Sequence, residues 1–398
     1  MFQSLKALPA DPILGLMATF HADDNPQKID LGVGVYRDGA GDTPVMSAVK
    51  KAEDYILHSQ QSKAYVGPFG SVPFNDACVR LILGAELQDQ LGERCITIQV
   101  PGGCGGVRLG ADFIKQANPN AKVWLGEPTW PNHVPLLASV GLEIATYPYY
   151  DHATHQVRFD EMMTSLAKAA STDVVLLHGC CHNPCGADLD AGQWQAVRDL
   201  ALDKGFAVFI DLAYQGLGDG LNEDVYGLRL LAESLPELIV AGSCSKNFGL
   251  YRERTGTLTL TTASADSSRV AGTCLAAAAR AMYSMPPDHG AAIVQHILND
   301  DTLRAEWEHE LTTMRDRING LRRRLVQELK AAGINRDFSF IEREKGMFSF
   351  LGVSPEQVQR LMKEFSIYLV DSSRINVAGI NDDNIAWLVK GLTAVLDE

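Results

Sequence analysis

Between residues 95 and 241, short apolar runs alternate with longer stretches of helical spacing. The runs are Ile96–Val100, Lys122–Leu125, Glu143–Tyr147, Val174–His178, Ala207–Asp211 and Leu238–Ala241. Each is too short for a stable helix, and helical segments lie between most of them. Parallel strands cannot be joined by tight hairpins and need crossovers of this kind, so the rhythm predicts an α/β domain with a mostly parallel sheet. No internal repeat interrupts it. In such open sheets ligands gather at the carboxyl ends of the strands, which is where chemistry should be sought.

The flanks differ from this central region. Residues 1 to about 45 read as an arm, with Pro9-Ala10-Asp11-Pro12, a short helix from Ile13 to His21, and an extended Ile29–Tyr36 carrying Gly32 and Gly34. Those two glycines suit either close backbone approach or simple loop geometry. Helical spacing follows from Pro44 through Ile56 and from Ala77 to Leu87, around a loop at Ala64–Gly70. Pro101–Gly106 reads as a tight turn leading to a helix over Val107–Lys115. After Leu260 the pattern is helical over Arg269–Tyr283, Ala291–Leu298 and Leu303–Lys330, with Arg322-Arg323-Arg324 expected on a solvated face. The tail adds apolar runs Phe338–Ile341, Gly346–Leu351, Ile367–Val370 and Arg374–Val377, and helices Pro355–Phe365 and Asp383–Val395. The change of pattern predicts a large domain over 46–314 and a small α+β domain built from 1–45 and 315–398.

Composition narrows the function classes. The formal charge of −14 on 398 residues argues against nucleic acid and anionic membrane as partners. No run approaches the ~20 apolar residues of a membrane span, and no charged-then-apolar leader opens the chain. Eight scattered cysteines suggest reduced thiols, and the whole suggests a cytoplasmic protein. Cys180-Cys181-His182-Asn183-Pro184-Cys185 is too crowded for zinc pairs, and no metal site is expected there.

Four groups sit where strands end. Ser243-Cys244-Ser245-Lys246 follows the last apolar run, with Arg252 and Arg254 beyond it. A lysine emerging from a buried strand is pushed toward its neutral amine, which can form a Schiff base with an aldehyde. Serine hydroxyls and an arginine beside it suit a phosphate, and together they point to pyridoxal phosphate. A surface lysine in a polar loop would carry the same letters. Gly102-Gly103-Cys104, between a strand and a helix, offers N–H groups to an anion but lacks both the dinucleotide and P-loop patterns. Asp211 ends an apolar run and is costly there unless it meets a cation, such as a protonated pyridine nitrogen; helix capping is the other reading. The Tyr214 phenol and the Asn183 amide could reach a ring oxygen, and Trp130 could lie on the ring or simply fill core.

His178–Pro184, Asp211–Gly216 and Ser243–Gly249 resemble class I aminotransferases, in particular the aspartate and aromatic amino acid aminotransferases. The likeness extends from Leu31–Tyr36 to Ser373–Gly379. It implies the type I pyridoxal-phosphate fold, a large α/β domain plus a small α+β domain. It implies pyridoxal 5′-phosphate bound through Lys246, which also moves the substrate proton. Asp211, backed by His133, would hold the pyridinium proton, Asn183 and Tyr214 the ring oxygen, and Trp130 the ring face. Gly102, Gly103, Cys104, Ser243, Ser245 and Arg254 would surround the phosphate. Arg374 would clamp the substrate α-carboxylate, aided by Gly34 and Asn183. Tyr65, Ser284 and Arg280 match positions supplied by the neighbouring subunit of a homodimer, Tyr65 to the phosphate and Arg280 to a distal carboxylate. The expected reaction moves the amino group of aromatic amino acids or aspartate to 2-oxoglutarate. Alternatives are a strict aspartate aminotransferase, a β-eliminating or decarboxylating relative, or a non-catalytic regulator that binds the cofactor. Cys104, Ala64 and Met285 depart from the family pattern, and small or pliable residues there suggest room for a bulky side chain.

Overall fold

The computed structural model describes residues 2–7 and 12–396; Pro9-Ala10-Asp11 of the expected arm lie outside the described residues. The chain forms two compact units. One comprises 44–316 with Glu344–Gly346, the other 1–43, 317–343 and 347–398.

The large unit is organised by a seven-stranded sheet: β1 (Cys95–Pro101), β2 (Lys122–Glu127), β3 (Glu143–Pro148), β4 (Val174–His178), β5 (Ala207–Leu212), β6 (Leu238–Ser243) and β7 (Thr255–Thr261). Their spatial order is β1-β7-β6-β5-β4-β2-β3, and every pairing is parallel except those of β7 with β1 and β6. β7 has no counterpart among the expected strands. Its sequence Thr-Gly-Thr-Leu-Thr-Leu-Thr looks polar, yet all seven residues are buried. Threonine's branched side chain suits a pleated surface, and Thr259 bonds its hydroxyl to that of Thr97 at 2.9 Å across the strands.

The expected turn at Pro101–Gly106 is instead the opening of a helix, Gly102–Ala117. Glycine is a poor helix former, but close packing outweighs that preference here. A Cβ on Gly106 would lie 3.1 Å from Ala241 Cβ, and one on Gly110 would lie 2.6 Å from the Phe209 ring. The helix therefore presses on the sheet over a core including Val100, Val107, Ile114, Leu125, Phe209 and Leu258. Each such side chain withdrawn from water contributes about 1.5–3 kcal/mol. The expected helix at 77–87 is two, Val72–Leu83 and Ala85–Leu91, broken where Gly84 takes φ +82°.

The small unit has its own core, including Ile29, Leu31, Leu325, Phe340, Val358, Leu369 and Leu388. Ile29–Asp30 pairs in parallel with Ile367–Tyr368, and Phe348–Phe350 antiparallel with Arg374–Asn376. Ser354 caps helix Pro355–Phe365 in a reciprocal box with Gln357. The long helix Asp301–Ala331 corrects one expectation: Arg322 is 1% exposed, not on a solvated face. Its guanidinium donates to the carbonyls of Ile341 and Phe348 and to Ser349 Oγ, at 2.9, 2.7 and 2.6 Å. A three-arginine run has no helical periodicity of its own, so its letters hide which member faces inward.

Candidate active site

Topology delivers the polar groups of the large unit to one edge of the sheet. β1, β4, β5 and β6 end there and antiparallel β7 begins there, so Gly102, Asn183, Asp211, Ser243 and Arg254 all issue from the same side. Register aligns His178 with Asp211, and Asp211 with Ala241.

Lys246 lies in the loop after β6. That loop is held by Cys244 N–H donating to Thr255 O at 3.0 Å and by the buried Trp307, whose Nε1 donates to Asn247 O at 2.7 Å. Trp307 also stacks on Phe248, with ring centroids 4.4 Å apart. Lys246 Nζ sits 4.9 Å from the Tyr214 ring centroid. Burial pulls its pKa below the ordinary lysine value; Asp211 opposes the fall and Arg254 adds to it.

Asp211, 7% exposed, meets the fully buried His133, whose Nε2 is 3.0 Å from Asp211 Oδ2. Burial alone would raise the carboxyl's pKa; the hydrogen bond and charge of His133, with His178 and Lys246, outweigh it and hold the group below its ordinary value. The chain of contacts continues. His133 Nδ1 is 2.8 Å from Thr129 Oγ1, which is 3.1 Å from His178 Nε2. His133 Nε2 thus faces the carboxylate while its Nδ1 is held by the Thr129 hydroxyl, which in turn meets the His178 ring. Burial, then the neighbouring His133, push the His178 pKa down to about 3, so His178 stays neutral. Thr129 and His178 were given no role from sequence; their only signal was position, at the ends of β2 and β4. Trp130 packs edge-on to His133 with centroids 5.2 Å apart.

The helix N-terminus at Gly102, which no side chain caps, lies with Ser243, Ser245 and Arg254 in an arrangement that could hold an anion. Arg254 Nη1 donates to Ser245 Oγ at 3.3 Å and to Tyr251 O at 3.1 Å. Gly102 has φ +70°, and a Cβ there would lie 2.6 Å from the Arg254 guanidinium, so only glycine leaves this cradle open. Cys104 receives a hydrogen bond from Asn132 Nδ2 at 3.6 Å. Asn183, 7% exposed, precedes a cis peptide to Pro184.

Tyr65 is 93% exposed, and Arg280 and Ser284 are exposed too, with Arg280 Nη1 donating to Ser284 Oγ at 3.4 Å. In the small unit, Arg374 is buried, donates from Nη2 to Gly32 O at 2.6 Å, and lies 4.5 Å over the Phe348 ring. A Cβ on Gly34 would come within 3.0 Å of that same ring. Phe348 was not singled out from the sequence. In the cysteine cluster, Cys180, Cys181 and Asp224 place ligand-type atoms within 4.8 Å. The Asp224 oxygens accept from the N–H groups of Gly216, Gly218, Asp219 and Gly220, which commits them to shaping that loop.

A buried lysine of lowered pKa, a buried carboxylate and a cluster of anion-binding groups around one sheet edge make a site suited to a phosphorylated pyridine aldehyde: an amine for the aldehyde, an anion for a protonated ring nitrogen, and N–H, hydroxyl and guanidinium donors for the phosphate. The family model for class I and II aminotransferases matches residues 26–392. The chain is 48% identical over 396 residues to an aspartate aminotransferase of Salmonella typhi, covering 100% of both chains. It is 45% identical over 395 residues to an aromatic-amino-acid aminotransferase of Paracoccus denitrificans, covering 99% of this chain and 100% of that one. The crystal structure of an aromatic-amino-acid aminotransferase from Burkholderia pseudomallei, covalently bound to pyridoxal phosphate, superposes with a TM-score of 0.98 at 41% identity, covering 100% of this chain and 99% of that one. The protein belongs to the class I and II aminotransferases and is an enzyme of that family. No described helix is long and apolar enough to cross a membrane.

Proposed function

We propose that this aminotransferase uses pyridoxal 5′-phosphate to move the amino group of aromatic amino acids and of aspartate to 2-oxoglutarate, as a cytoplasmic homodimer. The observation that carries the chemistry is Lys246, its pKa lowered by burial, beside the His133-backed carboxylate of Asp211. When bound, the cofactor supplies an electron sink for the bonds at the substrate's Cα. Lys246 holds the cofactor between turnovers and, once released, carries the proton to and from Cα. Asp211 stays ionised and keeps a proton on the ring nitrogen, with Thr129 and His178 orienting the His133 ring behind it. Asn183 and Tyr214 donate to the ring oxygen, and Trp130 bounds the ring. Gly102, Gly103, Cys104, Ser243, Ser245 and Arg254 hold the phosphate. Arg374 receives the α-carboxylate, aided by Gly34 and by the Asn183 amide, and a carboxylate held this firmly is a poor candidate for loss, which favours transfer over decarboxylation.

Tyr65, Arg280 and Ser284 complete the partner's site in this reading. Their exposure supports it: an arginine whose hydrogen bond is to one exposed serine is available to a carboxylate from elsewhere. Substrate breadth is supported by relatives of both names at 48% and 45% identity. An aromatic side chain must not bury Arg280 unpaired, so the arginine turns toward water; Ala64, Cys104 and Met285 leave space for that. The test is kcat/KM for aspartate, glutamate, phenylalanine and tyrosine in wild type and Arg280→Leu. The variant should lose the acidic donors far more than the aromatic ones. Negligible wild-type activity with every aromatic donor leaves a strict aspartate aminotransferase.

A further inference from the structure

The backbone from Asp30 to Arg37 runs past Arg374 in the small unit, and one buried carboxylate dictates its shape. Asp30 is 6% exposed. Its Oδ1 accepts from Gly32 N–H at 2.9 Å and from Val33 N–H at 3.4 Å, while Oδ2 accepts from Arg37 Nη2 at 2.5 Å. A trans peptide points its N–H and its C=O in opposite directions. Drawing Gly32 N–H toward Asp30 therefore turns the Leu31 carbonyl away, and that carbonyl accepts from Asn376 N–H at 2.7 Å. Drawing Val33 N–H toward Asp30 likewise turns the Gly32 carbonyl away, and it meets Arg374 Nη2 at 2.6 Å. The next carbonyls, of Val33 and Val35, both accept from Asn376 Nδ2 at 2.7 Å. Two peptide planes set by Asp30 thus place the acceptors that hold Arg374 and its neighbour Asn376. A carboxylate this enclosed is costly without a cation, and Arg37 supplies it.

We propose that the Asp30–Arg37 ion pair is a latch that positions Arg374 for α-carboxylate recognition, making Asp30 and Arg37 positioning residues for the transamination. This rests on the reading of Arg374 as the α-carboxylate receptor. The latch touches no substrate. It presents the Gly32 carbonyl to one end of the guanidinium, while the Phe348 ring supports its face. Opening it lets the Gly32–Val33 peptide rotate and Arg374 lose its aim. Every substrate shares the α-carboxylate, so the loss falls on aromatic and acidic ligands alike.

The test uses holoenzyme, with 3-phenylpropionate and succinate as carboxylate probes and their Kd read from the visible absorption of the bound cofactor. Asp30→Asn keeps an oxygen for the two N–H groups but ends the ion pair, and Arg37→Gln ends it from the other side. Each should raise Kd for both probes roughly tenfold, the lower end of what a charge-assisted hydrogen bond is worth. Because both remove one interaction, the double variant should be no weaker than the weaker single. Arg37→Lys should restore affinity to within about threefold, since a cation remains. KM for amino acids should rise with kcat little changed, and cofactor affinity should stay at the wild-type value. Unchanged Kd in Arg37→Gln, additive losses in the double variant, or cofactor loss in step with the rise in Kd would each overturn the latch. Arg374→Ala separates the two readings. If it leaves Kd unchanged, the role given to Arg374 fails; if it raises Kd while the latch variants do not, the latch alone fails.

Discussion

Replacing Asp211 by Asn removes one negative charge while keeping the shape of the side chain. The wild-type carboxylate is 7% exposed and anchored by His133 Nε2 at 3.0 Å, with its pKa held low against the pull of burial. An anion in that setting stabilises a facing cation far more than water would. Removing one partner of such a buried pair costs about 3–5 kcal/mol. At 1.36 kcal/mol per decade, that converts to roughly a 10²- to 10⁴-fold slower step wherever the cationic ring is needed. The His133 contact sharpens the expectation, because an asparagine can present an amide N–H where His133 Nε2 meets a carboxylate oxygen in the wild type. The assay is single-turnover decay of the cofactor's visible band on mixing with aspartate or phenylalanine, with bound cofactor confirmed beforehand. Proton removal from Cα should slow by about three orders of magnitude, by the same conversion. Turnover within tenfold of wild type, with cofactor fully bound, would refute the electrostatic role given to Asp211.

Three further outcomes follow from the same geometry. Borohydride treatment of the holoenzyme should fix the cofactor to the peptide carrying Lys246, and label on any other lysine would remove the site assignment. Mixing inactive Lys246→Ala chains with Arg280→Ala chains should restore dicarboxylate activity in hybrid dimers; none after proven subunit exchange would count against shared sites. His178 links stability to pH: its folded pKa is depressed to about 3, so between that value and the ordinary 6.5 the unfolded chain binds more protons, and stability falls as pH falls. Urea unfolding of wild type and His178→Gln from pH 7 to 5 should show the variant losing less stability, by up to about 1.4 kcal/mol per pH unit for one proton; parallel slopes would mean His178 does not stay neutral in the folded protein.

What the sequence revealed and what it hid divide along physical lines. The parallel strands were visible because strands covered on both faces must be apolar throughout, as Val174–Leu177 and Ala207–Ile210 are. β7 was hidden because its threonines read as polar until the sheet covers them and supplies a partner such as Thr97 for Thr259, and no local pattern encodes that partner. The opening of helix Gly102–Ala117 was hidden for the converse reason. Its glycines look like a turn until Ala241, Phe209 and Arg254 occupy the space their side chains would need. Candidate residues with unusual chemistry for their place, Lys246 after a buried strand and Asp211 at the end of another, stand out in the sequence. Residues packed behind the candidates do not: Thr129 and His178 behind His133 and Asp211, and Phe348 against Arg374, are ordinary letters whose places exist only in the distances that the fold creates. Arg322 is the sharpest case. Its neighbours Arg323 and Arg324 share its chemistry, and helical phase alone turned one of the three onto the carbonyls of Ile341 and Phe348. A charge can be read from sequence as cheap or costly only once its burial is known, and burial is a property of the packing partner. The same reasoning places Asp30. As a letter in an N-terminal arm it is one acid among many; enclosed, with Gly32, Val33 and Arg37 converging on it, it becomes the residue that shapes the loop beside Arg374.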